Sequence, residues 1–248
     1  MTYLKNFGWG RVTALAVVLL AACAFWIASE ARIPSGSATI ILWQWAAVFA
    51  SLLVVSLIAG CMAQQRFIGV LIDERNRISL SRVQWLAWFL VLFSSYFTGA
   101  VWDVAGFGGD VPKIEPNLFG LIGITTGSGV ISNVLVEAKK QQPPTTVQGT
   151  DPHQGKIDIN DTPAQAAWQD LYLGEETANR QTVDASRLQK LIVTILLVIV
   201  YIEMVASALS EASQTYHAFD LPVVGSNFLV LMGASHAAYW AYKATNKP

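Results

Sequence analysis

Runs of about twenty mostly apolar residues recur along the chain, separated by stretches that hold most of the charge. A helix needs about 20 such residues to cross the hydrocarbon core of a bilayer. Six runs fit: Val12 to Ala28, Ala38 to Cys61, Val83 to Trp102, Asn117 to Val136, Leu188 to Leu209, and Val223 to Tyr242. The fourth and sixth are the least apolar, being rich in Gly, Ser, Thr and Ala. The pattern predicts an all-α integral membrane bundle of six transmembrane helices.

Basic residues set the orientation. With the N-terminus in the cytoplasm, the inner segments hold 14 of the 16 Lys and Arg, and the outer loops hold only Arg32 and Lys113. This is the asymmetry of the positive-inside rule, and it predicts both termini inside. Trp26, Trp43, Trp45 and Trp102 fall near the expected outer face, and Trp9, Trp85 and Trp240 near the inner one. Indole favours these levels because it is apolar with one polar N–H. Leu20-Ala21-Ala22-Cys23 has the look of a lipoprotein cleavage box, but the apolar run continues through Phe25, Trp26 and Ile27. An uncleaved first span is the expectation. Composition agrees with a membrane protein, with 53% hydrophobic and 13% charged residues. An average soluble domain carries about 25% charge. A net charge of -1 gives no footprint for nucleic acid. Two cysteines, Cys23 and Cys61, support neither a disulfide framework nor a Cys-based metal site.

The chain repeats itself. Ser81-Arg82-Val83-Gln84 matches Ser186-Arg187-Leu188-Gln189 at an offset of 105, which Tyr96 and Tyr201 keep. Asn117-Leu118-Phe119-Gly120 resembles Asn227-Phe228-Leu229-Val230 at an offset of 110. Lys139 and Lys140 close the first unit, and Lys243 and Lys247 the second. Two helical hairpins that start and finish on the same side form a parallel repeat, about an axis along the membrane normal. The segments expected are 1–65, two N-terminal spans; 66–140, the first hairpin with its charged loop; 141–183, a partly flexible cytoplasmic linker; and 184–248, the second hairpin. Ser with Gln three residues on fits a capping box. The Arg between them is placed to anchor each helix at the phospholipid headgroups.

Between the hairpins, Gln141 to Gln154 is rich in Pro and Gly and nearly free of large apolar residues, which predicts a flexible linker with His153 solvated. Trp168, Leu171 and Leu173 suggest a short amphipathic helix near Ala164 to Leu173, lying on the membrane or docked on a neighbour. Asp73-Glu74-Arg75-Asn76-Arg77 is dense mixed charge. It reads as a solvated face with local ion pairs. The sharper reading is an interaction site facing Glu175, Glu176 and Arg180, with Arg75, Arg77, Arg82 and Arg187 as the anchoring set.

Polar groups inside the spans carry the candidate chemistry. Glu203 is the only carboxylate in a predicted span, about 9 Å from the outer end of the fifth at 1.5 Å per residue. A charge there costs roughly 2.5–3.5 kcal/mol on insertion scales. Asn227 or Thr125 would satisfy it by an interhelical hydrogen bond; ion permeation or proton coupling is the functional alternative. His236 is the only histidine in a span, and it comes within reach of Glu203 if the sixth helix starts near Ser226 rather than Pro222. Gly123 and Gly127 form a small-xxx-small pair suited to close helix packing. Thr125, Thr126 and Ser128 would line a wet path if Gly127-Ser128-Gly129 relaxes the fourth helix. No nucleophile, metal cluster or phosphate loop accompanies these residues, so neither an enzyme nor a cofactor is expected.

The stretch Ile72 to Gln84, then Gly174-Glu175-Glu176-Thr177-Ala178-Asn179-Arg180 with Ser186 to Gln189, then Leu231 to Tyr239, resembles a widespread group of bacterial inner-membrane proteins with repeated Ser-Arg-x-Gln hairpins. Ala234 and Ala238 depart from that group, which often has Ile and Gly there. The resemblance covers about residues 66 to 245. It implies a bacterial inner-membrane location, brings no activity, and favours a role for His236.

Three functions follow as expectations. The first is a homo-oligomeric ion channel or pore lined by Glu203, His236, Thr125, Thr126, Ser128 and Asn227. The second is a non-transporting scaffold that recruits a cytoplasmic protein partner. The third is a small proton-coupled transporter. In all three the spans contact membrane lipid.

Overall fold

The computed structural model describes residues 9–33, 37–140 and 157–245. Six helices account for most of them: α1 (Trp9–Glu30), α2 (Ala38–Gln64), α3 (Leu80–Phe107), α4 (Pro116–Lys140), α5 (Ala185–Thr215) and α6 (Ser226–Ala244). Among the described residues there are no β-strands, only isolated bridges between Ile72 and Ile78, Ile157 and Glu176, and Leu173 and Val183. Each expected span lies in one of these helices, and the helices run longer than the apolar runs. The sixth is the exception at its start, where α6 begins at Ser226 and not at Val223. Five helices, α1 to α5, are long and apolar enough to cross a membrane. The 19 residues of α6 fall short in hydropathy, diluted by Gly233, Ser235, His236 and Lys243.

Local sequence explains the ends. Pro116 opens α4, where a missing N–H costs nothing and the fixed φ suits the first turn. Gln65 ends α2 in the left-handed region at φ 58°. Gly127-Ser128-Gly129 does not relax α4, which stays helical from Pro116 to Lys140. Thr125 Oγ1 instead turns back on the carbonyls of Leu121 and Ile122, at 3.0 and 2.9 Å.

Packing divides the chain into two units, each drawn from stretches far apart in sequence. The first comprises Met1–Val70, Ala87–Phe119 and Leu197–Val224. Here α1 and α2 run antiparallel: Gln44 Nε2 donates to the Trp26 carbonyl at 3.2 Å, while Cys23 Sγ meets Ser51 Oγ at 3.7 Å. Trp45 Nε1 donates to Ser94 Oγ at 2.9 Å, tying α2 to α3. Trp102, expected in an outer aromatic belt, is buried; its N–H donates to the His217 carbonyl at 3.1 Å. An indole in protein finds its polar partner there and has no need of the interface. Asp103 Oδ1 accepts the Phe219 N–H at 2.7 Å and fixes the loop after α5.

Gly60 of α2 lies against the backbone of Gly69 and Val70, so a Cβ there collides with main chain that has no freedom to yield. Gly60→Ala is expected to destabilise by about 1–3 kcal/mol, the usual cost of overpacking. A lowered thermal midpoint of the detergent-solubilised protein checks it; an unchanged midpoint would refute the close approach.

The second unit comprises Leu71–Leu86, Gly120–Leu196 and Gly225–Pro248. It contains most of α4, the first part of α5, all of α6, and the connections on either side. Of the segment expected as a cytoplasmic linker, residues 141–156, with His153, lie outside the described residues. Residues 157–183 are folded. Two 3-10 turns, Pro163–Gln165 and Trp168–Leu171, stand where the amphipathic helix was expected, and a third, Thr177–Asn179, follows. Leu171 is buried and Trp168 exposed.

Candidate functional site

The site grows from the turn Asp73 to Arg77. Ile72 and Ile78 bridge across it, and both are fully buried. Asn76 takes the left-handed conformation at φ 56°, which Asn tolerates better than most residues. Asp73 Oδ1 accepts the backbone N–H of Arg75 at 2.9 Å. This turn sends two guanidinium groups inward rather than into solvent.

Arg75 makes a forked contact with Asp73 Oδ2, from Nε at 2.9 Å and Nη2 at 2.6 Å. Its Nη2 also reaches Glu175 Oε1 at 3.0 Å. Arg77 pairs with Asp158 at 3.2 Å and Asp170 at 3.3 Å. The neighbouring backbones are latched as well. Asn76 Nδ2 donates to the Asn160 carbonyl at 2.8 Å, and Asn160 Nδ2 returns the bond to Asn76 at 2.9 Å. The turn is therefore not a solvated face; the sharper expectation, contact with the second connection, describes it.

Glu175 is the hub. Its carboxylate receives Arg75, Arg187 and, at 2.7 Å on Oε2, Lys243. These cations come from the 72–78 turn, α5 and α6. Gly174, just before it, packs against Asn179 where a Cβ has no room. Burial by itself would push the Glu175 carboxyl up, but Arg75, Lys243 and Arg187 overcome that and hold it well below the ordinary carboxylate range. Burial also opposes the charge on Arg75, and Glu175 with Asp73 outweighs it, leaving the guanidinium above its ordinary value. On Arg77 burial prevails over Asp170 and Asp158, and the group sits below its ordinary value. Buried charges are tolerated only when paired and hydrogen-bonded in this way.

The repeated Ser-Arg-x-Gln motifs do not act as capping boxes. Asp184 caps α5: its Oδ1 accepts the N–H groups of Ser186 and Arg187 at 3.0 and 3.2 Å, and Ser186 Oγ donates to it at 2.6 Å. Gln189 is exposed. Ser81 lies inside α3, its hydroxyl without a partner among the described residues, and Gln84 bonds Thr194 across to α5. The two arginines differ too. Arg82 is partly exposed, bonding the Ile72 carbonyl at 2.5 Å and Glu74 at 2.9 Å. Arg187 is 2% exposed and bonds Glu175 and the carbonyls of Asp170 and Leu171. Its guanidinium is engaged inside the protein.

Of the residues expected to line a path, the structure gathers two. Ser128 is buried and accepts from Lys190 Nζ at 2.8 Å and Trp240 Nε1 at 3.3 Å. His236 is buried edge-on to the same Trp240, ring centroids 6.0 Å apart. Thr125 is spent on its own helix, while Thr126, Asn227 and Glu203 are exposed. α6 does begin at Ser226, the start that brought His236 into range, yet both ring nitrogens of His236 are without a hydrogen-bond partner among the described residues.

Sequence reasoning missed Asp158, Asp170, Lys190 and Lys243 as site residues. Two had a readable signal: Arg187, Lys190 and Thr194 recur at helical spacing on one face of α5, and Tyr239 and Lys243 at i, i+4 on α6.

Five helices of this length and composition mark the chain as a helical membrane protein. Comparison with protein-family models, with curated proteins and with solved structures finds no match.

Proposed function

We propose that the protein is a homo-oligomeric pore of the bacterial inner membrane, in which the outer half of α5 faces a shared axis. The observation that carries this reading is Glu203, exposed within the apolar run of α5. Ser207 and Glu211, also exposed, follow at i+4 and i+8, so the three form one polar stripe. Lipid offers a carboxylate no solvation, so water or a second copy covers this stripe. Toward the other end of α5 the exposed face is Ile192, Ile195, Leu196, Ile199 and Val200. Around an axis, carboxylates on neighbouring copies form a ring that favours cations, and the aliphatic positions form a constriction. The proposal includes six spans with both termini cytoplasmic. The basic-residue asymmetry supports that orientation, and 19 residues of α6 extend about 28 Å, close to the hydrocarbon thickness. It also keeps the parallel repeat, with α3–α4 and α5–α6 as its hairpins.

A scaffold role has one observation of its own: Ile159, Trp168 and Val183 are exposed large apolar residues in the 157–183 segment. Both readings are tested together. Purified protein in liposomes is expected to pass monovalent cations, and Glu203→Gln to lower the rate or the preference for cations. Ser207→Cys, with Cys23 and Cys61 replaced by Ala, is expected to form disulfide-linked dimers in membranes. No flux and no cross-linking would overturn the pore and leave the scaffold, to be pursued by binding partners to the 157–183 segment.

A further inference from the structure

Lys190 is buried without a carboxylate. It lies on α5, is 0% exposed, and has no ion pair among the described residues. Its Nζ donates to Ser128 Oγ at 2.8 Å and lies 4.1 Å from the centroid of the Tyr239 ring. When protonated, Nζ has three donors and no acceptor, so one hydroxyl and one ring face leave it undersupplied. Ser128 Oγ already receives a second donor, Trp240 Nε1. The charges within electrostatic reach of Lys190 are Lys243, Arg187 and Glu175, and that carboxylate is occupied by Arg75, Arg187 and Lys243.

A second observation points to the same place independently. His236 packs edge-on against Trp240, whose N–H bonds the same Ser128 hydroxyl as Lys190; it is 1% exposed, and among the described residues neither ring nitrogen has a hydrogen-bond partner. Ser235 Oγ beside it is buried and equally unpartnered. Buried polar groups left unpaired are rare, and such a gathering calls for something that pairs them. The donors left unspent are those of Lys190 Nζ beyond its one hydroxyl, the Ser128 O–H, whose oxygen already accepts two bonds, and a His236 N–H. The missing group is therefore an acceptor, and a negative one.

We propose that Lys190, with Ser128, Trp240 and His236, binds a small inorganic anion of the halide class inside the helices of the second unit. A compact monovalent ion fits better than phosphate, because the guanidinium forks of Arg75 and Arg187 are already engaged by Glu175. The site does not depend on whether copies assemble around α5.

The test uses the full chain in lipid nanodiscs at fixed ionic strength, with chloride exchanged for gluconate. Chloride is expected to raise the thermal midpoint of the wild type by several degrees, in a saturating manner, because an ion that binds only the folded state stabilises it. Lys190→Met is expected to abolish that response. Should Lys190→Met not fold, Ser128→Ala serves instead, raising the chloride concentration for half the effect by about tenfold through loss of the hydroxyl that holds the ammonium. Iodide quenching of tryptophan emission gives a direct readout, and the quenched fraction is expected to fall in Trp240→Phe. Equal wild-type midpoints in chloride and gluconate would overturn the proposal and leave water as the occupant. A chloride response that survives unchanged in Lys190→Met or Ser128→Ala would overturn it too, as general salt screening.

Discussion

Glu175→Ala is expected to cost about 3–5 kcal/mol, the range for leaving a buried ionic partner uncompensated. Three cations lose their common carboxylate at once: Arg75, Arg187 and Lys243. Among the described residues, only Arg75 keeps another carboxylate, Asp73. Because the cations come from three separate parts of the chain, the loss spreads to the 72–78 turn, the start of α5 and the end of α6. Limited proteolysis of the purified protein checks this. New cleavage is expected within 157–183 in Glu175→Ala, and less of it in Glu175→Gln, which keeps the shape and one acceptor. An uncleaved alanine variant with a wild-type midpoint would mean that the hub contributes nothing.

The same hub has a defined pH dependence. The folded-state value of Glu175 lies well below that of the unfolded chain, since its three cations outweigh the effect of burial. Its stabilisation is therefore complete above the unfolded value of about 4.3 and is lost as pH falls through the lower folded value. Amide exchange at Asp73 to Arg77 is expected to stay equally protected from pH 7 down to about 5, once corrected for its intrinsic pH dependence, and to open only under stronger acid. Loosening between pH 7 and 5 would show that another group governs the latch.

Arg187→Ala is expected to destabilise by about 3–5 kcal/mol, and Arg82→Ala, its counterpart in the repeat, by less than about 1 kcal/mol. Arg187 is buried, and its guanidinium joins Glu175 to the carbonyls of Asp170 and Leu171. Arg82 is partly exposed and pairs with Glu74, itself well exposed, so water replaces much of what the substitution removes. Arg187→Lys is expected to fall between wild type and alanine, because an ammonium keeps the charge but lacks the fork that reaches several acceptors. Thermal midpoints of the three variants, measured side by side, give the ordering. Equal losses at the two positions would mean that the repeat in sequence is also a repeat in energetics.

The six helices were legible because the signal is local. A run such as Ile195 to Val200 is apolar throughout, and no tertiary context is needed to know that it prefers to leave water. The turn at Asp73 to Arg77 was legible as a place, through its charge density, and as one of two readings. Its burial was not, because Arg75 meets a partner 100 residues away and Arg77 partners 81 and 93 away. The capping assignment failed for a related reason. Ser186 and Gln189 fit the box by spacing, but Asp184 sits closer to the true start of α5 and its carboxylate is the stronger acceptor for the free N–H groups.

By itself, then, the sequence determined where along the chain the long helices lie, which follows from how each stretch partitions between water and an apolar phase. Only the tertiary structure decided which charges are buried, that the two repeated arginines differ, and that Lys190 has no carboxylate partner among the described residues. Those outcomes depend on which groups arrive beside one another, and the free energy of a buried charge is set by its neighbours rather than by its own kind.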